Sequence, residues 1–196
     1  MKPSEFLKVV HLAEKLKCNT RHSCTSSGRR ESVAEHSWRL SLMAMLVSSE
    51  FPEADTDKVI RMCLIHDLGE AFCGDIPSFE KTAEDEKREE GEFYAWVASF
   101  PEPEKTQWQE LLCEMNAMES LEAKIYKALD KLEAVIQHDE SDISTWIPLE
   151  YELNLVYGNE NVQFSDYLKE LKTEIDKMTV EKLDNAQKDA AKQQYI

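Results

Sequence analysis

The stretch "LIHDLGEAFCGDIP", residues 64–77, places one histidine and three carboxylates among apolar residues. Asp67 directly follows His66, and the neighbours Leu64 and Leu68 are of a type that usually lies in a protein core. Burying a carboxylate costs several kcal/mol unless it is paired, hydrogen-bonded or bound to a metal. The pair therefore predicts either an Asp–His hydrogen bond or a shared ligand between helices, and a divalent cation is the leading candidate for that ligand.

The length and composition predict a globular protein with a single domain. The chain has 196 residues, 42% of them hydrophobic, and no break in composition suggests a second domain. We expect one domain over residues 1–196, with a core of about 1–178 and a peripheral helix or frayed tail over 179–196.

The N-terminal segment and the cysteines predict a cytoplasmic protein. The segment "MKPSEFLKVVHLAEKLK" lacks the apolar run of a secretory signal, and no stretch of about 18 apolar residues predicts a membrane span. Five cysteines without a C-x-x-C pair are typical of reduced thiols rather than of a disulfide framework. We therefore expect no membrane partner.

The net charge of −16 argues against nucleic-acid polymers as partners, because the mean field of the protein repels phosphates. A small anion could still bind where a metal and a few arginines reverse the field locally. A small phosphorylated molecule is compatible with this charge.

The small number of glycines and prolines predicts an all-α fold. Five glycines and six prolines interrupt 196 residues, and we find no convincing alternation of period two. The charged segment 80–93 is expected to be a solvated helix face without a chemical role. The predicted helices cover residues 4–17, 32–50, 57–72, 79–99, 104–116, 120–138, 146–157 and 163–178, with a loop over 18–30.

A second histidine lies near the start of the helix predicted from residue 32. Ser32 and Glu35 have the spacing of a capping box, in which each side chain accepts a hydrogen bond from the other residue's backbone N–H. His36 shares the apolar stripe of Leu40, so its side chain is expected to point inward. Taken alone, such a histidine is more often a core residue than a ligand.

A further carboxylate, Asp130, interrupts the segment "LEAKIYKALDKLEAVI" at residues 121–136. It belongs neither to the apolar stripe nor to the lysine stripe of this predicted helix, and it lies beside small residues such as Ala123 and Ala134. Asp130 is therefore either a surface residue or a ligand at a close helix contact.

The order of these residues resembles that of the HD-domain metal-dependent phosphohydrolases. The resemblance is carried by "ESVAEHSW" (31–38), "IHDLGEAFCGDIP" (65–77) and "ALDKLEA" (128–134), and is closest to the branch of the bacterial 5′-deoxynucleotidases. It implies an HD-domain helical bundle with one divalent metal between central helices. The metal would be Mn, Co, Zn, Fe, Ni or Mg, and its implied ligands are His36, His66, Asp67 and Asp130.

The resemblance also implies roles for residues that are not ligands. Glu70 would orient or deprotonate the attacking water, Asp75 would protonate the leaving oxygen, and Arg21 would contact the substrate phosphate. His22 stands where the deoxynucleotidases carry a tryptophan near the sugar. Alternatively, Glu70 supports a metal ligand and Asp75 only shapes a tight turn.

The predicted function is hydrolysis of nucleoside 5′-monophosphates, with deoxyribonucleotides as the expected substrates, by a homodimer. One alternative is hydrolysis of another small phosphoester or of a pyrophosphorylated nucleotide. The other is an HD-type protein that binds a nucleotide without turnover.

Overall fold

The computed structural model describes residues 1–193, and helices dominate that part of the chain. This confirms the all-α prediction, apart from one pair of short strands. The helices are α1 (Pro3–Ala13), α2 (Val33–Leu46), α3 (Thr56–Ile65), α4 (Glu70–Cys73), α5 (Ala83–Ala98), α6 (Glu104–Ala117), α7 (Leu121–Glu140), α8 (Glu150–Val156) and α9 (Asp166–Gln193), and the strands are β1 (Thr20–Cys24) and β2 (Arg30–Ser32). Short 3₁₀ segments occupy Glu14–Lys17, Ser48–Glu50 and Ile143–Thr145.

The chain folds into two compact units. The first comprises Met1–His22 and Glu31–Tyr126, and the second comprises Ser23–Arg30 and Lys127–Ile196. The single-domain organisation expected from the sequence stays a prediction.

In the first unit, α2 packs along α3, and α5 packs against α4 and α6. A chain of aromatic contacts lies around Trp96, whose ring centroid is 4.6 Å from that of Phe100 and 6.1 Å from that of Trp108. Trp96 and Trp108 therefore contact one another inside this unit.

The predicted loop 18–30 contains a β-hairpin, so its prediction as a loop is wrong in part. Its turn is closed by a hydrogen bond from the backbone N–H of Thr25 to the carbonyl of Arg29, at 2.7 Å. Gly28 adopts a φ of 84°, a backbone conformation that residues with a side chain rarely adopt. Polar residues occupy both faces of these strands, which is why no period-two pattern of hydrophobicity predicted them.

In the second unit, α9 continues past residue 178 as a single helix, where the sequence left a peripheral helix or a frayed tail as alternatives. Thr179 is fully buried and donates a hydrogen bond to Asp139 of α7 at 2.8 Å. Lys182 donates to the carbonyl of Ser141 at 2.6 Å. These contacts keep residues 179–193 helical although the segment lacks a strong apolar stripe, whereas residues 194–196 lie outside the described part of the chain.

Within residues 1–193, no helix combines the length and the apolar character that a membrane crossing requires.

Candidate metal centre

The first candidate ligand, His36, lies in the first turn of α2. The capping box predicted there is confirmed: Glu35 N–H donates to Ser32 Oγ at 3.3 Å, and Ser32 N–H donates to the Glu35 carboxylate at 2.9 Å. The cap determines where α2 begins and hence which residues face inward. His36 is fully buried, as the apolar stripe predicted.

The second and third candidates, His66 and Asp67, lie where α3 ends. The prediction of a continuous helix over 57–72 is wrong, because α3 stops at Ile65 and the backbone turns before α4. The N–H of Leu68 donates to the carbonyl of Ile65, and that of Glu70 to the carbonyl of Asp67, each at 3.0 Å. The side chains of adjacent residues on a continuous α-helix point about 100° apart. Because α3 ends before His66, this angle does not fix the directions of the His66 and Asp67 side chains.

Three ligand atoms converge on one point of the first unit. His66 Nε2 lies 3.0 Å from Asp67 Oδ2, and His36 Nε2 lies 3.2 Å from His66 Nε2 and 3.7 Å from the same carboxylate oxygen. The three atoms all lie within 4.8 Å of one another, as a common metal ion requires. Mixed imidazole and carboxylate donors suit a divalent transition metal.

The orientation of the His66 ring fits a metal ligand. Its Nδ1 lies 2.9 Å from the carbonyl oxygen of Cys63. Because a carbonyl only accepts, Nδ1 carries a proton. Nε2 faces His36 and Asp67, so it donates to Asp67 when the imidazole is protonated and offers its lone pair to a metal when the imidazole is neutral. This arrangement of a backbone acceptor behind a histidine is the usual support of a metal-binding imidazole.

The fourth predicted ligand, Asp130, belongs to the second unit. Its side chain is largely buried on α7, and Lys127 Nζ lies 3.0 Å and Lys131 Nζ 3.7 Å from Oδ2. The burial argues against the first of the two alternatives left by the sequence, an exposed surface residue. Its role as a ligand stays a prediction.

Arg21 lies beside the three converging residues and is held by two carboxylates. Its Nη1 lies 3.4 Å from Asp67 Oδ2 and its Nε 3.3 Å from Glu31 Oε2. Burial alone would raise the pKa of Asp67, but the charges of His66, His36 and Arg21 and a hydrogen bond with His66 hold it well below its usual range. Asp67 is therefore ionised and available to a cation.

The two predicted catalytic carboxylates, Glu70 and Asp75, interact with one another. Burial, followed by the charges of Asp67 and Asp75, raises the pKa of Glu70 to about 10. Burial likewise raises the pKa of Asp75, against the opposing effects of Arg21 and of a hydrogen bond with Glu70. The two carboxyls therefore share a site in which one of them readily holds a proton.

Two features near this site were not predicted from the sequence. Lys81 Nζ forms an ion pair of 2.6 Å with Glu89, whose side chain packs against Gly69 in the turn before α4. The ring of His22 contacts that of Phe79 at a centroid distance of 5.5 Å. Neither pair has a periodic or local sequence signal, because each joins segments that only the tertiary fold brings together.

The chain belongs to the HD-domain family. The family model described as "HD domain" matches residues 13–172, which include the three converging residues and Asp130. Membership of this family implies a divalent metal, and the group of His36, His66 and Asp67 is the candidate to bind it.

The relatives include proteins named 5′-deoxynucleotidase. The chain is 33% identical over 114 residues to 5′-deoxynucleotidase HDDC2 of Homo sapiens, covering 57% of this chain and 55% of the relative. It is 29% identical over 143 residues to 5′-deoxynucleotidase YBR242W of Saccharomyces cerevisiae, covering 69% and 59%. The chain thus spans between half and two thirds of the length of these relatives.

Solved structures share the fold. A predicted metal-dependent phosphohydrolase from Magnetospirillum magnetotacticum matches with a TM-score of 0.77 at 25% identity, over 91% of this chain and 95% of that one. A conserved hypothetical protein from Pyrococcus furiosus matches with a TM-score of 0.66 at 26% identity, over 86% and 98%.

Proposed function

We propose that the chain is a metal-dependent phosphomonoesterase that hydrolyses nucleoside 5′-monophosphates, with deoxyribonucleotides as the preferred substrates. The observation that carries the proposal is the convergence of His36, His66 and Asp67 on one point. The names of the relatives support the substrate class, and the similarity to a solved metal-dependent phosphohydrolase supports the reaction class.

The ligand set in this proposal is His36, His66, Asp67 and Asp130. Two neutral imidazoles and two carboxylates balance a divalent ion, so the loaded site is nearly neutral. A metal bound there would lower the pKa of a coordinated water and polarise a phosphoryl oxygen.

Arg21 binds the phosphate of the substrate in this scheme. Its guanidinium lies 3.4 Å from Asp67, one of the proposed metal ligands. A forked guanidinium contacts two phosphate oxygens at once, which a lysine ammonium cannot do. His22, the next residue, contacts the sugar.

Glu70 and Asp75 move protons in this scheme. Glu70 accepts a proton from the attacking water, and Asp75 donates one to the 5′-oxygen that leaves phosphorus. Burial and the charges of Asp67 and Asp75 raise the pKa of Glu70 to about 10, so Glu70 holds the shared proton before a metal binds. A divalent ion held by Asp67 would lower this pKa, because a nearby positive charge favours the ionised carboxylate, and this is what the role of Glu70 as the base requires. Removal of either carboxyl should lower kcat more than it changes KM.

The proposal is tested by metal content and phosphate release in the purified protein, in His66→Ala and in Asp130→Ala. We expect each variant to lose both bound metal and activity, whereas His11→Ala, a change at an exposed histidine of α1, should keep both. Full activity with retained metal in either ligand variant contradicts the assignment of the site.

A panel of substrates distinguishes the proposed reaction from its alternatives. Phosphate released mainly from deoxynucleoside monophosphates supports the proposal. Release only from other phosphoesters or pyrophosphorylated nucleotides supports a different hydrolase, and nucleotide binding without release supports a non-catalytic protein.

We also propose a homodimer in the cytoplasm. The outer face of α2 carries Trp38, Leu42, Met45 and Leu46, of which Trp38 is 65% and Leu46 71% exposed. Such an apolar stripe is typical of a protein interface, and a second copy of the chain would cover it. Sedimentation equilibrium measures this association.

The cytoplasmic location is supported by the cysteines. All five are free thiols, which agrees with a reducing compartment.

A further inference from the structure

An aromatic pair joins strand β1 to the segment 74–82 that follows α4. The rings of His22 and Phe79 meet edge to face, with centroids 5.5 Å apart and planes at 90°. Phe79 is 37% exposed and belongs to the same segment as Asp75. We propose that Phe79, supported by His22, is the surface on which the nucleobase of the substrate stacks, an inference that rests on the proposed function.

The position of the pair along the chain places it beside the proposed path of the substrate. His22 follows Arg21, which contacts Asp67, and Phe79 lies four residues after Asp75. Arg21 is assigned to the phosphate and Asp75 to the leaving 5′-oxygen, and the nucleoside begins at that oxygen. The part of the substrate beyond phosphorus must therefore extend past the two segments that carry the aromatic pair.

The segment 74–82 is held beside the candidate site. Lys81 Nζ forms an ion pair of 2.6 Å with Glu89, whose side chain packs against Gly69 in the turn that follows Asp67. Phe79 therefore lies between Asp75 and a lysine that is anchored next to this turn.

The exposed ring of Phe79 has the chemistry that a nucleobase requires. An edge-to-face pair uses the edge of one ring and one face of the other, so Phe79 keeps at least one face that His22 does not cover. Stacking of a base on an aromatic side chain contributes strongly to binding and tolerates different bases, because every base has a π-face. We therefore expect purine nucleotides, which have the larger π-face, to bind more tightly than pyrimidine nucleotides.

The experiment compares the metal-loaded wild type with Phe79→Ala and Phe79→Tyr. The substrates are 2′-deoxyadenosine 5′-monophosphate and 2-deoxyribose 5-phosphate, which lacks only the base. Phe79→Ala should raise KM for the nucleotide by about tenfold, with little change in kcat and none in either constant for the sugar phosphate. Phe79→Tyr keeps the π-face and should restore the wild-type KM. Phe6→Ala, at another exposed phenylalanine, should leave both substrates unaffected.

Two results would overturn the inference in distinguishable ways. If Phe79→Ala changes the constants for both substrates equally, or changes neither, the ring does not contact the base, and the proposed function stands. If the metal-loaded wild type releases no phosphate from any nucleoside monophosphate, the proposed function itself fails, and the stacking surface fails with it. A circular dichroism spectrum of each variant verifies that it is folded. If Phe79→Ala is not folded, Phe79→Leu decides the question, because it keeps an apolar side chain without an aromatic face and should raise KM for the nucleotide alone.

Discussion

The carboxyl of Asp139 offers a direct test of the energetics of the second unit. Asp139 lies near the end of α7 and is only 9% exposed, and its Oδ2 accepts a hydrogen bond from Thr179 Oγ at 2.8 Å. Burial raises the pKa of Asp139 to about 6 from an ordinary value of 3.8, although Thr179 and Lys182 oppose this effect. The replacement Asp139→Asn keeps the size and the acceptor and removes the charge.

The sign and size of the effect follow from the two pKa values. A group whose pKa is raised on folding stabilises the folded state most at low pH, and this stability is lost as the pH rises through the folded value. The difference between about 6 and 3.8 corresponds to at most about 3 kcal/mol above pH 6. Relaxation of the side chain and access of water reduce this value, so we expect Asp139→Asn to raise the free energy of unfolding by about 1–2 kcal/mol at pH 8.

Urea unfolding at several pH values between 5 and 8 measures this effect. The advantage of Asp139→Asn should grow as the pH rises towards 6 and stay constant above it. Asp142→Asn is the matched control, because hydrogen bonds from the side chain and from the backbone N–H of Ser144 lower the pKa of Asp142. That variant should be less stable than the wild type by the same amount throughout this pH range, since Asp142 stays ionised above its ordinary pKa of 3.8. An advantage of Asp139→Asn that is the same at pH 5 and pH 8 would refute the reasoning.

Two further substitutions test Arg21 and the start of α2. Arg21→Lys should raise KM for phosphomonoesters about tenfold and leave bound metal and kcat nearly unchanged, since one ammonium cannot replace a fork that lies between Asp67 and Glu31. Steady-state kinetics with metal analysis measures this, and an unchanged KM would contradict the phosphate role. Ser32→Ala should lower the free energy of unfolding by about 1 kcal/mol through loss of the helix cap. Urea unfolding measures this loss. Glu35→Gln is the control, because it keeps a side-chain acceptor. Equal stability of Ser32→Ala and the wild type would exclude the cap as a stabilising element.

Features that depend on neighbours along the chain were predicted correctly. The capping box of Ser32 and Glu35 and the inward position of His36 follow from spacings of three or four residues, which a helix converts directly into contacts. The helical character of the chain follows in the same way from its periodicity and from the scarcity of glycine and proline.

Three backbone features were predicted incorrectly or left open. A turn after Ile65 interrupts the helix predicted over 57–72, and the hairpin around Gly28 occupies part of a predicted loop. The sequence left residues 179–196 open between a peripheral helix and a frayed tail. Residues 179–193 are helical, and Thr179 and Lys182 bond there to partners some forty residues away, which no window of local sequence contains.

The sequence by itself determined the chemical types of the candidate ligands, two imidazoles and two carboxylates, and their order along the chain, because these are properties of composition and spacing. Only the tertiary structure decided that His36, His66 and Asp67 lie within bonding distance of one ion. It also decided that Glu70 has a pKa of about 10. Convergence and desolvation depend on the positions of atoms that are remote in sequence, and a linear pattern does not specify those positions.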